Sequence, residues 1–284
     1  MDFVQSVFLG LVQGLTEFLP ISSSAHIRIF SELMGIGDTG AAFTAITQIG
    51  TEAAVILYFR HDIIKLFRAW WSCLIGKFGR DWKSRLGAEN FNAVMAWYIV
   101  IGSFPVVILG LLLKSQIETV FRNLWLTAGV LILFGLILGL ADKVGQKNKT
   151  LKNLNILNTL IFGIGQAMAL IPGVSRSGGS ITAGLFAGFR RETAARYSFL
   201  LAIPAVFGSG LFELVDTIKN PTTSFPGFFP TFIATLVAFI VGYLVIIGFL
   251  KLISNHSFKP FVYYRIVVGL ALAVILALGI ISPV

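Results

Sequence analysis

A carboxylate, an imidazole, a guanidinium and a crowd of hydroxyls stand in stretches of this sequence that are otherwise almost free of charge. Gln13 and Glu17 lie four residues apart, so on a helix they project from one face toward the same point. A carboxylate in that setting is costly, on the order of 2.5–3.5 kcal/mol at the centre of a membrane helix, and such groups face a wet cavity or a partner. The run Ser22-Ser23-Ser24-Ala25-His26 follows Pro20. Serines at a helix start commonly act as caps. A Ser three residues before a His on a first helical turn also sets a hydroxyl beside an imidazole that can take or give its proton.

The turn Pro172-Gly173-Val174-Ser175-Arg176-Ser177-Gly178-Gly179-Ser180 reads as an anion site. Its glycines let backbone N–H groups approach a ligand, the helix that follows offers a positive N-terminal end, and its hydroxyls add donors. Arg176 supplies a planar, permanently charged fork suited to phosphate. The structural alternative is an ion pair between Arg176 and Glu17. Glu52 also falls inside an apolar stretch, where it fits a contact between helices and a place in the site equally well.

These residues must be positioned by elements that live in lipid. The chain has 284 residues, of which 56% are hydrophobic and only 12% charged, far more apolar than a soluble domain of that size. Apolar runs cover 41–59, 93–113, 124–141, 154–171, 197–215, 230–250 and 261–281. Most approach the roughly 20 residues a helix needs to cross a bilayer. No strand-length alternation recurs, which excludes a barrel and predicts an all-α polytopic membrane protein. The net charge of +9 does not point to nucleic acid, because the Lys and Arg residues gather in short loops beside the apolar runs. The single Cys73 excludes an internal disulfide. No Lys or Arg precedes the first apolar run, so the N-terminal segment is expected to be retained.

Two units share a pattern. Residues 3–34 carry two arms around the Pro20 turn, and 154–189 carry two arms around the Pro172 turn; each proline leads into Ser-x-Ser, and Gln13 and Gln166 precede them at similar distances. The second arms, read as Ile27 to Met34 and Ile181 to Phe189, are too short to cross, which predicts re-entrant hairpins. Three spans follow each hairpin. An odd number of crossings inverts the second half, giving repeats of about 1–141 and 154–284 within one membrane domain, with about six spanning helices in all. This arrangement puts loops 60–92, 142–153, 190–196 and 251–260 on one side, where most of the basic residues lie, and leaves Lys114, Arg122 and Lys219 opposite. The basic side is then cytoplasmic and both termini lie outside. Residues 63–75 interleave apolar and basic side chains, as in a helix lying among lipid headgroups.

Taken together, these residues resemble the undecaprenyl-diphosphate phosphatase family, also called the bacitracin-resistance proteins. The resemblance rests on Gln13-Gly-Leu-Thr-Glu17-Phe-Leu-Pro20-Ile-Ser-Ser-Ser-Ala-His26 and Pro172-Gly-Val-Ser-Arg-Ser-Gly178, with lesser echoes at Gln48-Ile-Gly-Thr, Phe199-Leu-Leu-Ala-Ile-Pro204 and Pro260-Phe-Val-Tyr-Tyr-Arg265. It implies a multi-pass phosphatase of the bacterial plasma membrane that removes the terminal phosphate of a polyprenyl diphosphate lipid and so recycles the carrier for cell-wall polymers. It further implies that Glu17 is the essential acid, Ser23 the nucleophile, His26 the acid/base and Arg176 the phosphate-binding arginine. Ser175 and Ser177 are similar to the family's phosphate-contacting hydroxyls, and Ser22, Gly173 and Ser180 complete the expected substrate-binding set. A divalent cation, Mg2+ or Ca2+, is expected at Glu17. Gln13 stands where the family often has Glu, which weakens the case for Gln13 as a ligand, and Ser180 stands where Thr is common. The Pro-Ser-Gly-His core of type 2 phosphatidic acid phosphatases is absent. The sequence leaves open attack by Ser23 or by water, the monomer or homodimer state, and a rival reading as a lipid or anion carrier built on the same inverted repeats.

Overall fold

The computed structural model describes residues 1–220 and 225–283. Its α-helices run in the order α1 (Phe3–Thr16), α2 (Ser23–Leu33), α3 (Gly40–Tyr58), α4 (Arg60–Leu74), α5 (Trp82–Leu86), α6 (Phe91–Leu112), α7 (Lys114–Glu118), α8 (Leu124–Val144), α9 (Ile156–Ala167), α10 (Arg176–Phe186), α11 (Arg191–Lys219), α12 (Phe228–Asn255) and α13 (Lys259–Ala277). No strand forms among the described residues. Among the described residues six helices, α3, α6, α8, α11, α12 and α13, are long and apolar enough to cross a membrane. The protein is an all-α, multi-pass membrane protein.

The two short arms begin earlier than the apolar runs suggest, because the serine-rich turns are themselves the first helical turns. Pro20 has no N–H to continue α1, and the chain reverses so that α2 starts at Ser23. Ser22 and Ser175, the N-cap residues of α2 and α10, both have positive φ, 74° and 71°. Non-glycine residues rarely adopt that region, and doing so costs of order 1–3 kcal/mol unless the surroundings hold it. Each arm is 11 residues long, roughly 16 Å, about half the thickness of a hydrocarbon core.

The first arm of each unit packs against a helix from the other half of the chain: α1 lies on α12, and α9 on α6. Glycines allow this. A Cβ at Gly14 would stand 2.7 Å from Val241 Cβ, and one at Gly163 would stand 2.4 Å from Gly102 O. Within the second hairpin the approach is closer still, since a Cβ at Gly179 would meet Gly165 O at 2.2 Å. Such small-residue contacts let helix backbones meet where no hydrophobic force draws them together. Gly135 and Gly139, spaced as a packing pair, receive Val262 and Arg265 of α13.

Helix α4 packs against α6 and leaves Ile64, Phe67, Trp71 and Ile75 exposed as one stripe. Outside the spans, Asp38 ties the α2–α3 connection to Arg28 and Arg122. Burial pushes its carboxyl up, but the bonds from Arg122 and Gly40 N–H outweigh that and hold it below the usual carboxylate range.

Candidate active site

The site forms where the two tips touch. Gly173 N–H donates to Ser22 Oγ over 3.2 Å, and Ser177 Oγ donates to the carbonyls of Glu17 and Leu19 at 3.2 and 3.1 Å. These bonds join residues some 150 positions apart into one cradle.

Glu17, at the C-terminal end of α1 and 4% exposed, is the hub. Its Oε2 accepts from Gln13 Nε2 and from Ser23 Oγ, both at 2.6 Å, and its Oε1 accepts from Arg176 at 2.5 Å. The four-residue spacing of Gln13 and Glu17 therefore brings them together as the helical repeat requires. Arg176 reaches with its other terminal nitrogen to Glu52 Oε2 at 3.1 Å. Glu52 is fully buried in α3, so one guanidinium compensates two buried carboxylates, and Glu52 joins the site rather than a separate helix contact. The ion pair does not exhaust Arg176: of its five N–H donors, the two carboxylates engage two.

Ser23 and His26 are not bonded to each other. The Ser23 hydroxyl turns to Glu17. His26 Nδ1 turns back to the Ser22 carbonyl at 2.7 Å, and Nε2 meets the Tyr264 hydroxyl at 2.9 Å. The spacing of three residues permitted a contact, but the carboxylate beside Ser23 and the carbonyl one turn behind His26 are the stronger acceptors.

In the second tip, Ser175 caps α10 by accepting from Gly178 N–H at 3.1 Å, and its hydroxyl lies 3.1 Å from that of Ser177. Ser180 is fully buried and donates to Arg176 O at 2.8 Å, which braces the helix turn that carries the guanidinium. The first N–H groups of α10 have no acceptor inside the helix and lie at its positive end.

Two residues of α13 complete the cradle. Arg265, 1% exposed, donates to Pro20 O (2.9 Å), Gly173 O (2.6 Å), Val174 O (3.0 Å) and Leu131 O (3.2 Å). It thus clips both tips to α8. Because a peptide's C=O and N–H point in opposite directions, fixing Val174 O on Arg265 turns Ser175 N–H away from it. In the sequence both residues, Arg265 and Tyr264, stand in the Pro260-Phe-Val-Tyr-Tyr-Arg265 echo of the family resemblance, which assigns neither of them a role.

Gln13 Oε1 and Glu52 Oε1 are buried without a partner. Hard oxygens of this kind fit Mg2+ or Ca2+. No cluster of three or more His, Cys, Asp or Glu residues suited to a metal occurs among the described residues, so phosphate oxygens would have to complete its shell.

The sequence matches the family model of the bacitracin resistance protein BacA over residues 6–271. An undecaprenyl-diphosphatase of Bifidobacterium longum is 54% identical over 286 residues, covering 100% of this chain and 97% of the relative. One from Bifidobacterium adolescentis is 55% identical over 287 residues, covering 100% and 98%. One from Paenarthrobacter aurescens is 54% identical over 284 residues, covering 99% and 100%. With both signature turns brought to one cradle and the match running through nearly all of its length, the chain belongs to the BacA bacitracin resistance family.

Proposed function

We propose that this protein is a membrane phosphatase that hydrolyses undecaprenyl diphosphate to undecaprenyl phosphate and inorganic phosphate, returning the lipid carrier to cell-wall synthesis. The observation that carries the reading is Arg176, delivered by one tip, bridging Glu17 and Glu52 beside the Ser23 hydroxyl of the other. The full-length likeness to undecaprenyl-diphosphatases supports the substrate.

In this reading Arg176 and the first N–H groups of α10 hold the terminal phosphate. Ser23 Oγ attacks its phosphorus as its proton passes to Glu17, the group it already bonds. The bond to the bridging oxygen breaks and undecaprenyl phosphate leaves. Water then cleaves the phosphoserine, with His26 as acid/base. Positive charge fixed in a water-poor cradle stabilises the oxygens where charge develops. A divalent cation held by Glu17, Glu52 and Gln13 would supply further neutralisation of phosphate oxygens.

Each hairpin enters and leaves the membrane on one side, the first from outside and the second from the cytoplasm, and the halves 1–141 and 154–284 form inverted repeats. The short second arms and the reciprocal packing of α1 on α12 and α9 on α6 support this. Both termini then lie outside the cell, and the exposed stripe of α4 rests in the cytoplasmic headgroup layer.

Phosphate release from undecaprenyl diphosphate by the purified protein in detergent tests the activity, since a carrier would release none. A chelator should abolish that release if the cation role is right. Full activity of Ser23→Ala would remove the serine route and leave direct attack by water.

A further inference from the structure

His26 has no free nitrogen. Its Nδ1 faces the Ser22 carbonyl at 2.7 Å, and a carbonyl only accepts, so Nδ1 carries the proton. In the neutral ring Nε2 is then the acceptor, and the Tyr264 hydroxyl 2.9 Å away donates to it. The imidazole is 3% exposed, and the Ser23 hydroxyl next to it is turned to Glu17. A proton entering or leaving Nε2 therefore has one hydrogen-bonded route.

Resting on the phosphatase reading above, we infer that Tyr264 is a proton-relay residue, its hydroxyl carrying the proton between His26 and the water that cleaves the phosphorylated intermediate. The step balances. As the water oxygen bonds to phosphorus, its proton passes to the Tyr264 oxygen, and the Tyr264 proton passes to Nε2. The phenol returns to its starting state, His26 becomes imidazolium, and the serine oxygen leaves phosphorus. The proton that Glu17 took in the first step returns to the departing serine oxygen, and the imidazolium gives its proton back along the Tyr264 route to the released phosphate.

Two features set this tyrosine apart from a packing residue. Its ring lies 5.6 Å from the imidazole at an interplanar angle of 10°, so a phenylalanine would fill the same space and stack as well. It is 42% exposed whereas His26 is 3% exposed, so its side chain covers the buried base. Its neighbour Arg265 clips the carbonyls of both tips, so the relay is fixed to the cradle by the next residue in the chain.

The test is a double-mutant cycle of phosphate release from undecaprenyl diphosphate by protein purified in detergent. Tyr264→Phe should lower kcat on the order of a hundred-fold, the lower end of acid–base contributions, and leave KM nearly unchanged. Combined with His26→Asn, it should cost nothing beyond His26→Asn alone, because the two act as a unit. Full kcat in Tyr264→Phe, or losses that multiply in the double variant, would overturn the relay. Full kcat in His26→Asn would remove the role of His26 and the relay with it. Failure of the unaltered protein to release phosphate would instead overturn the phosphatase reading itself.

Discussion

The two tips share a backbone and divide the chemistry. Each places a serine with positive φ at the start of an 11-residue helix, yet the first carries carboxylate, hydroxyl and imidazole while the second carries guanidinium and glycine. The divergence begins one turn earlier. Gln13 is followed after four residues by Glu17 and donates to it at 2.6 Å. Gln166 is followed after four residues by Leu170, and both of its side-chain polar atoms are buried without a partner. Neither tip can bury its charge alone. An isolated Glu17 or Arg176 would be an uncompensated ion in lipid, and bringing the tips together neutralises both. Charge compensation thus reinforces the clip made by Arg265, and the same contact that closes the fold makes the site.

Predictions follow from that division of labour. The largest effect belongs to Arg176→Leu, which strands Glu17 and Glu52. It should destabilise the protein by about 3–5 kcal/mol in unfolding measured in detergent and abolish phosphate release. A variant that unfolds like the unaltered protein would show that the tips do not depend on each other. Gly179→Ala should cost about 1–3 kcal/mol, because the new methyl meets Gly165 O and forces α9 and α10 apart; an unchanged melting temperature would show that this hairpin is looser than drawn. The finest comparison is between the two glutamines. Gln13→Leu removes a donor from a buried carboxylate and should cost about 1–3 kcal/mol, whereas Gln166→Leu removes two unpaired polar atoms and should be neutral or stabilising. Equal losses at the two positions would erase the distinction.

The spanning helices were legible because lipid demands long apolar runs, and the ends of the six observed spans fall within six residues of those runs. The apolar count starts the short arms at Ile27 and Ile181, whereas the helices start at Ser23 and Arg176, as the Ser–His spacing on a first helical turn indicates for the first arm. A hydrophobic criterion overlooks serines that form first turns. Local spacing revealed the Gln13–Glu17 pair correctly. It misled for Ser23 and His26, where each side chain found a better acceptor than the other. The partners of Glu52 and Arg265 were not legible. One is a guanidinium 124 residues away and the others are backbone carbonyls, which carry no residue identity.

The claim on which the account turns is that Glu17 and Arg176 work as one charge-compensated pair where the two tips meet. Phosphate release should be measured for Glu17→Gln, for Arg176→Gln and for the two combined. Each single change should cost at least about a hundred-fold in kcat/KM, and the double variant should be no worse than the poorer single. Losses that multiply would mean that the acid and the guanidinium act in separate places, and the single-site account would fail.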